Sequence, residues 1–137
     1  MTIELDMRSD IPIYVQIRDQ IIKGIGAGML KDGDALPTVR SLANDIGVNP
    51  MTVNKAYALL KQEGVIIADR RLGVKICLNA DATEYTVKLK KQLQLLISEA
   101  MVYGIEEQQF LDICKEYYQM IRRKQKEGTI QTIPAVE

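Results

Sequence analysis

A short stretch near residue 50 carries side chains whose chemistry suits the recognition of DNA. Within GVNPMTVNKAYALL, at Gly47–Leu60, Asn54 can pair with an adenine edge and Met51 can touch a thymine methyl group. Lys55 can reach either a phosphate or a guanine, and both alternatives stay open. These side chains can act together only if a helix presents them on one exposed side.

Helical spacing divides the same stretch into a buried side and an exposed side. Asn49 is a favoured N-cap residue, and Pro50 falls at the first helical position, where its fixed φ is already helical. At about 100° per residue, the apolar side chains share one face: Val53, Ala56, Tyr57 and Leu60. A recognition helix contacts bases mainly with its amino-terminal residues, which outside this face are Asn49, Met51, Thr52, Asn54 and Lys55. Solvated residues on an ordinary amphipathic helix are the competing interpretation.

The preceding elements favour DNA recognition because they complete a helix-turn-helix. The residues Val39–Ile46 predict a short helix with Thr38 as its N-cap, and Gly47 suits the left-handed position just past its end. So tight a turn between two short helices is typical of a helix-turn-helix. Before it, a helix opened by Pro12 has an apolar face over Ile13–Ile25.

After the recognition helix, the pattern changes from helical to extended. Val65–Asp69 and Val74–Leu78 predict two strands, and the turn Arg70–Gly73 between them predicts a β-hairpin. Three helices followed by a hairpin make a winged helix-turn-helix. Nearer the amino terminus, alternating apolar and acidic residues predict a short strand at Ile3–Asp6, and Leu30–Leu36 predicts a turn.

Three arginines are candidates for contact with the DNA backbone. Arg40 falls in the first turn of its helix, where a cation beside free N–H groups can hold one phosphate from two sides. A surface ion pair with Asp45 or another neighbour is the alternative. Arg70 and Arg71, at the hairpin tip, can follow the minor groove or the adjacent backbone. Their alternative is a solvated turn, and both questions stay open at this point.

The remaining chain predicts two amphipathic helices that need a partner. An apolar stripe runs from Thr83 to Tyr103, Gly104 stops that helix, and the acids Glu106 and Glu107 begin another, where they complement the positive end of the helix dipole. The residues predicted to form a dimer interface are Tyr85, Leu89, Leu93, Leu96, Ile97, Ala100, Met101, Phe110, Ile113, Tyr117 and Ile121. Two such helices cannot bury both apolar faces alone, so either the winged domain or a second copy of the chain must cover them.

Composition argues against several other classes of protein. Of 137 residues, 47% are apolar and none is histidine, and no phosphate loop or nucleophile motif occurs. We therefore expect no enzyme, no metal and no cofactor. Cys77 and Cys114 lack metal-ligand or redox-pair spacing and are interpreted as buried thiols, with a redox-sensing pair as the alternative.

The charge and hydropathy of the sequence indicate which partners the protein can bind and in which compartment we expect it. The formal net charge of +0 argues against nucleic acid, but residues 38–75 hold six bases against three acids. No apolar run approaches the roughly 18 residues of a membrane span, and the acidic start differs from a signal peptide. We therefore expect a cytoplasmic protein without a membrane partner.

Four motifs, in this order, resemble the GntR family of bacterial transcription regulators. They are PIYVQI at Pro12–Ile17, LKDGDALPTVRSLA at Leu30–Ala43, GVNPMTVNKAY at Gly47–Tyr57 and EGVI at Glu63–Ile66. The short helical remainder is similar to the YtrA subfamily, in which a two-helix segment serves dimerisation. The resemblance implies a dimer that binds an inverted-repeat operator, often near genes for an ABC transporter.

The resemblance also implies roles for single residues. Arg40 matches the arginine of an LPxxR motif that contacts phosphate or base, Thr52 matches a threonine that contacts the DNA backbone, and Gly73 matches the second glycine of the wing. The wing tip departs from the family pattern, because Asp69 and Arg71 stand where arginine and glycine are common.

Together these features predict an α+β, mostly α fold. We expect a winged helix-turn-helix DNA-binding domain at residues 1–79, a two-helix dimerisation segment at 80–127 and a poorly ordered tail at 128–137. The predicted function is that of a sequence-specific transcription regulator, a bacterial repressor that binds double-stranded DNA as a homodimer. The alternative is a winged-helix module that binds protein and no DNA. The sequence identifies no small-molecule effector.

Overall fold

The computed structural model describes residues 3–78 and 81–127, and these residues divide into two compact units. The first unit holds residues 3–78 together with 124–127, and the second holds residues 81–123. The predicted tail, residues 128–137, lies outside the described residues. Among the helices described, none is long and apolar enough to cross a membrane.

The first unit is a winged helix-turn-helix, as the sequence predicts. Its elements follow in the order α1 (Ile13–Gly26), α2 (Val39–Ile46), α3 (Pro50–Gln62), β1 (Ile66–Asp69) and β2 (Gly73–Ile76). Helix α3 packs against α1, α2 and β1, so it lies at the centre of the unit. The side chains buried most completely in this core are Ile17, Ile21, Leu42, Val53, Leu60, Ile66 and Ile76.

Local capping sets the turn between α2 and α3. The hydroxyl of Thr38 accepts a hydrogen bond from Ser41 N at 3.1 Å, and α2 ends at Gly47 with φ 72° and ψ 37°. The side chain of Asn49 then accepts from Met51 N at 2.8 Å, and Pro50 is the first residue of α3. The predicted caps are confirmed, and proline begins the helix because its missing N–H costs nothing there.

Strands β1 and β2 form the hairpin that we call the wing. A third extended segment pairs with its strand β2. Within the hairpin, Ile66 is paired with Ile76 in antiparallel register. The segment from Gly33 to Leu36 then runs along β2: Leu36 N donates to Val74 O at 2.8 Å, and Ile76 N donates to Asp34 O at 2.9 Å. The sequence predicted only a turn here, since Gly and Asp give no strand pattern and the pairing partner lies some forty residues away in the chain.

The short strand predicted near the amino terminus is wrong in one respect. Residues 3–6 are not part of a sheet, although Ile3 is buried and Leu5 packs against the core as the alternation requires. Two glutamine side chains of α1 pair with the backbone instead. Gln20 Oε1 accepts from Glu4 N at 2.7 Å, and Gln16 Oε1 accepts from Asp6 N at 2.8 Å.

These glutamines return hydrogen bonds through their amide nitrogens, to the carbonyl oxygens of Glu4 and Asp6. A side-chain amide offers one acceptor and a donor group, much as a peptide unit does. Gln16 and Gln20 lie one helical turn apart and so satisfy two backbone positions in succession. The segment is extended, but its partner is a helix.

The second unit is formed by two long helices that leave their apolar residues exposed. Helix α4 spans Thr83–Val102, Gly104 adopts a φ of 78°, and α5 spans Glu107–Glu127, of which residues 107–123 belong to this unit. The two helices do not pack side by side along their lengths. Of residues 81–123, none is buried in the single chain. Next to the turn, the helices enclose an open apolar groove of about 740 Å³.

Candidate nucleic-acid interface

The first turns of α3 present polar and flexible side chains to solvent. Met51 is 75% exposed, and Asn54 and Lys55 are also exposed, whereas Thr52 is half-buried. The inward face predicted for this helix is confirmed, with Val53, Ala56, Tyr57 and Leu60 all buried. Since these four side chains are anchored in the core, the opposite face has a fixed orientation on the unit.

Asn49 is exposed, but the oxygen of its side-chain amide already forms a hydrogen bond within the protein. Its carbonyl oxygen Oδ1 accepts from Met51 N in the cap of α3. The Nδ2 group, which carries two hydrogens, has no partner within residues 3–78 and 81–127. Asn49 can therefore offer DNA both hydrogens of Nδ2, and the second lone pair of Oδ1, while the cap is intact.

A buried hydrogen bond joins α3 to the start of α2. The hydroxyl of Tyr57 donates to the carbonyl oxygen of Pro37 at 2.8 Å, and both residues are buried. Burial raises the pKa of the Tyr57 hydroxyl, so it stays protonated and remains a donor at any physiological pH. Pro37 immediately precedes the cap residue Thr38, and the bond therefore fixes the first turn of α2, which carries Arg40.

An ion pair joins the far end of α3 to α1. Arg18 donates from Nε to Glu63 Oε1 at 2.9 Å and from Nη2 to Glu63 Oε2 at 2.5 Å, and from Nη1 to Asp19. The hydrogen bond to Glu63 raises the pKa of the Arg18 guanidinium above its ordinary value. This ion pair therefore connects the carboxyl-terminal end of α3 to α1. Sequence reasoning missed the pair because its members lie far apart in the chain.

Arg40 is exposed, and its side chain forms neither a hydrogen bond nor an ion pair in the described part of the chain. The alternative of an ion pair with Asp45 is therefore wrong in this structure. Arg40 lines a wide, shallow hollow that also reaches Thr38, Asn44, Gly47 and Pro50, between the start of α2 and the start of α3. A guanidinium with no carboxylate partner keeps its charge available for an anion.

At the wing tip, Asp69 builds the turn that presents the two arginines. Its Oδ1 accepts from Arg71 N at 2.7 Å and from Leu72 N at 3.3 Å, and Gly73 adopts a φ of 77°. Aspartate is favoured in such turns because its carboxylate satisfies backbone donors two and three residues on. This accounts for the aspartate that departs from the family pattern. The side chains of Arg70 and Arg71 are exposed.

One contact of Lys55 was not predicted. Its Nζ lies 5.2 Å from the centroid of the Tyr14 ring, which belongs to α1. Tyr14 is half-buried and packs against the core. The only sequence signal was an aromatic residue in the apolar stretch of α1, and that pattern does not reveal a partner on another helix.

Most of the residues predicted to form a dimer interface are exposed in the single chain, and none of them is buried. Leu96 is 56% exposed and Ile97 is 39% exposed, while Ala100 and Phe110 are half-buried. The other members are exposed: Tyr85, Leu89, Leu93, Met101, Ile113, Tyr117 and Ile121. Cys114, on the same stripe, is a half-buried free thiol, and so is Cys77 in the first unit.

Comparison with known proteins places this arrangement in a family. The model of the bacterial regulatory proteins of the gntR family matches residues 13–76. The HTH-type transcriptional repressor YtrA of Bacillus subtilis is 42% identical over 117 residues, which make up 83% of this chain and 90% of the repressor.

Two solved structures are similar over most of their lengths. A transcriptional antiterminator from Listeria monocytogenes is 30% identical, with a TM-score of 0.79 over 86% of this chain and 90% of that chain. YtrA from Sulfolobus acidocaldarius, a GntR-family transcription factor, is 39% identical, with a TM-score of 0.61 over 73% of this chain and 97% of that chain. These relatives are transcription regulators and not enzymes. The present chain, with its DNA-binding helix-turn-helix, belongs to the GntR family of transcription regulators and within it resembles YtrA.

Proposed function

We propose that this protein is a dimeric repressor whose helix α3 reads an inverted-repeat operator in the major groove. The observation that supports this most directly is the start of α3, where Met51 and Asn54 face solvent on a helix anchored by four buried side chains. Side chains held in this way can be placed against base edges without a rearrangement of the domain.

Base edges and backbone are contacted by different residues in this proposal. Asn54 pairs with an adenine, Met51 touches a thymine methyl group, and Asn49 donates to a base edge. A second set of residues contacts the DNA backbone: Arg40, Thr52, Arg70 and Arg71. Gly73 belongs to this set because it keeps the shape of the wing turn that carries the two wing arginines. Lys55 belongs to one of the two sets.

The dimer is supported by the exposed apolar stripes of α4 and α5. Within residues 81–123 no side chain is buried, although α4 alone carries Leu89, Leu93, Leu96 and Ile97 on one stripe. Exposed apolar surface on this scale marks an interaction site. A second copy of the chain is the partner we propose, because a two-fold dimer would match the symmetry of an inverted repeat. The two copies of α3 would then lie roughly 34 Å apart, one turn of DNA.

The regulated genes that we propose are those of an ABC transporter operon, as the similarity to YtrA regulators suggests. A footprint on DNA upstream of the protein's own gene cluster tests this and reveals the symmetry and spacing of the site. An asymmetric footprint would contradict the inverted repeat, and no protection on that DNA would contradict an operator upstream of the protein's own gene cluster.

Salt dependence separates this function from that of a module that binds only protein. A protein that neutralises several phosphates loses affinity steeply as salt rises, with a slope of about −0.9 per phosphate in a plot of log K against log salt. We expect such a slope for the wild-type chain on its own upstream DNA. If binding to this DNA were absent, or insensitive to salt, the regulator proposal would be wrong.

Replacement of Arg40 by alanine should weaken DNA binding without unfolding the domain. The loss of one charge-assisted contact in each subunit predicts a decrease in affinity of roughly tenfold or more per contact, measured by gel shift. Arg8→Ala, which removes the same charge from an exposed position outside the proposed surface, is the matched control. Equal affinities for Arg40→Ala and the wild type would exclude a phosphate contact by Arg40.

Replacement of Asn54 by alanine should relax base preference at one position of the operator. A bidentate contact to adenine contributes roughly 1–3 kcal/mol of discrimination, which selection from a random DNA pool would reveal. Gln62→Ala, at the other end of the exposed face of α3, should leave the selected sequence unchanged. An unaltered consensus for Asn54→Ala would remove Asn54 from the base-reading set.

A further inference from the structure

The Tyr14 ring holds the ammonium group of Lys55 at one side of the recognition helix. Lys55 Nζ lies 5.2 Å from the centroid of the ring, within the range of a cation–π attraction. Tyr14 is the second residue of α1, and α1 packs directly against α3. The contact therefore draws the lysine toward the edge of α3 that faces α1 and restricts a side chain that is otherwise flexible.

The ring positions this charge without neutralising it. Lys55 has no carboxylate partner in the described part of the chain, where the ion pairs found join Arg18 to Asp19 and Glu63. A carboxylate in the same place would cancel most of the field of the lysine beyond the pair. An aromatic ring carries no net charge, so an ammonium that rests on it remains fully attractive to a phosphate.

The direction in which Lys55 is held determines what it can meet on DNA. A helix in the major groove meets base edges with the middle of its exposed face, and the two phosphate backbones pass along its edges. An ammonium held toward α1 lies at an edge of α3.

We propose that Tyr14 is a positioning residue that assigns Lys55 to a DNA phosphate and not to a guanine. This inference rests on the proposed function of α3 as the recognition helix. It decides between a phosphate and a guanine as the partner of Lys55, and it gives Tyr14 a role in DNA affinity.

The test is a double-mutant cycle with the full-length chain. The probe is a duplex that carries the sequence selected by the wild-type protein from a random pool. Affinity is measured over a range of salt concentrations for the wild type, Tyr14→Leu, Tyr14→Phe, Lys55→Met and the double variant Tyr14→Leu/Lys55→Met. Circular dichroism and the free energy of unfolding are recorded for each variant.

Lys55→Met should reduce the salt slope by about 1.8, since the dimer loses one phosphate contact in each of its two subunits at about 0.9 per contact, and should leave the selected sequence unchanged. Tyr14→Leu should lower affinity about two- to fivefold for each of the two subunits, the range expected for one exposed cation–π pair per subunit. The same change should have no effect when Lys55 is already methionine. Tyr14→Phe, which keeps a ring face for the cation, should bind as the wild type does.

Other outcomes would overturn the inference. A changed base preference at one position for Lys55→Met would make the lysine a base reader. Equal losses from Tyr14→Leu with and without Lys55 would show a structural role alone, and a loss from Tyr14→Phe would point to the hydroxyl. If Tyr14→Leu did not fold, Tyr14→Met would replace it in the cycle, and the result for Lys55→Met stands independently. The absence of salt-sensitive binding by the wild type would instead defeat the proposed function itself.

Discussion

The two units of this chain differ in whether they bury their apolar side chains. In residues 3–78, leucines and isoleucines from all three helices and both strands converge on one core, and Leu60 is fully buried. In residues 81–123, leucines recur at helical spacing just as regularly, yet Leu96 stays 56% exposed. The first unit covers its own apolar surface, and the second leaves its surface uncovered.

This difference implies different origins of stability. The core of the first unit is intramolecular, so its stability should not depend on protein concentration. An isolated helix of about 20 residues is only marginally stable in water, because most helical stability in proteins comes from the packing of an apolar face. The helices of the second unit should therefore gain stability from association, by an amount that rises with the logarithm of the protein concentration once it exceeds the dissociation constant.

The largest effect we expect is from a charge in the second unit. Ile97→Asp places a carboxylate on the apolar stripe of α4, where dimerisation would bury it without a partner. We predict a monomer at micromolar concentration in sedimentation, and operator affinity lower by roughly 10²–10⁴-fold through loss of the second half-site. Ser98→Asp, on an exposed polar position of the same helix, is the control. A dimer that persists in Ile97→Asp would place the interface elsewhere.

The same substitution in each unit should have unequal effects on the unfolding of the winged unit. Leu60→Ala removes a fully buried side chain and should lower the free energy of unfolding by roughly 2–5 kcal/mol at any protein concentration. Leu96→Ala should leave that free energy within about 0.5 kcal/mol, since the leucine is exposed in the single chain, and should instead weaken dimerisation. Denaturant unfolding at several protein concentrations separates the two. Similar losses from both variants would contradict independent units.

A smaller effect is expected from a single buried hydrogen bond in the winged unit. Tyr57→Phe leaves the carbonyl oxygen of Pro37 without its partner at 2.8 Å, which should cost about 1–3 kcal/mol of unfolding free energy. Because this bond fixes the start of α2, operator affinity should also decrease, while the sedimentation of the dimer should not change. A change in the oligomeric state would show that the two units are coupled.

Local signals predicted those parts of the interface that depend on neighbours in sequence. The caps at Thr38 and Asn49, the glycine at position 47 and the proline that begins α3 each act within a few residues. Their effects are short-range because they satisfy backbone groups at a helix end or permit one dihedral angle. The helix-turn-helix and the exposed face of α3 follow from these signals.

Contacts between distant residues were not predictable in the same way. The amide of Gln20 that pairs with residue 4, the third segment beside β2, and the pair of Arg18 with Glu63 all join positions that are remote in sequence. Each is made by a common side chain or an ordinary backbone group, so residue type alone does not identify the partner. Such contacts exist only once helices and strands have packed.

The amino-acid sequence by itself determined where each helix of the winged unit begins and which face of α3 is free, because caps and apolar periodicity act locally. Tertiary structure alone decided that Arg40 has no carboxylate partner in the described chain and that Lys55 rests on Tyr14. Charge and hydrogen-bonding capacity belong to the residue. The direction in which they act depends on the packing of neighbouring elements.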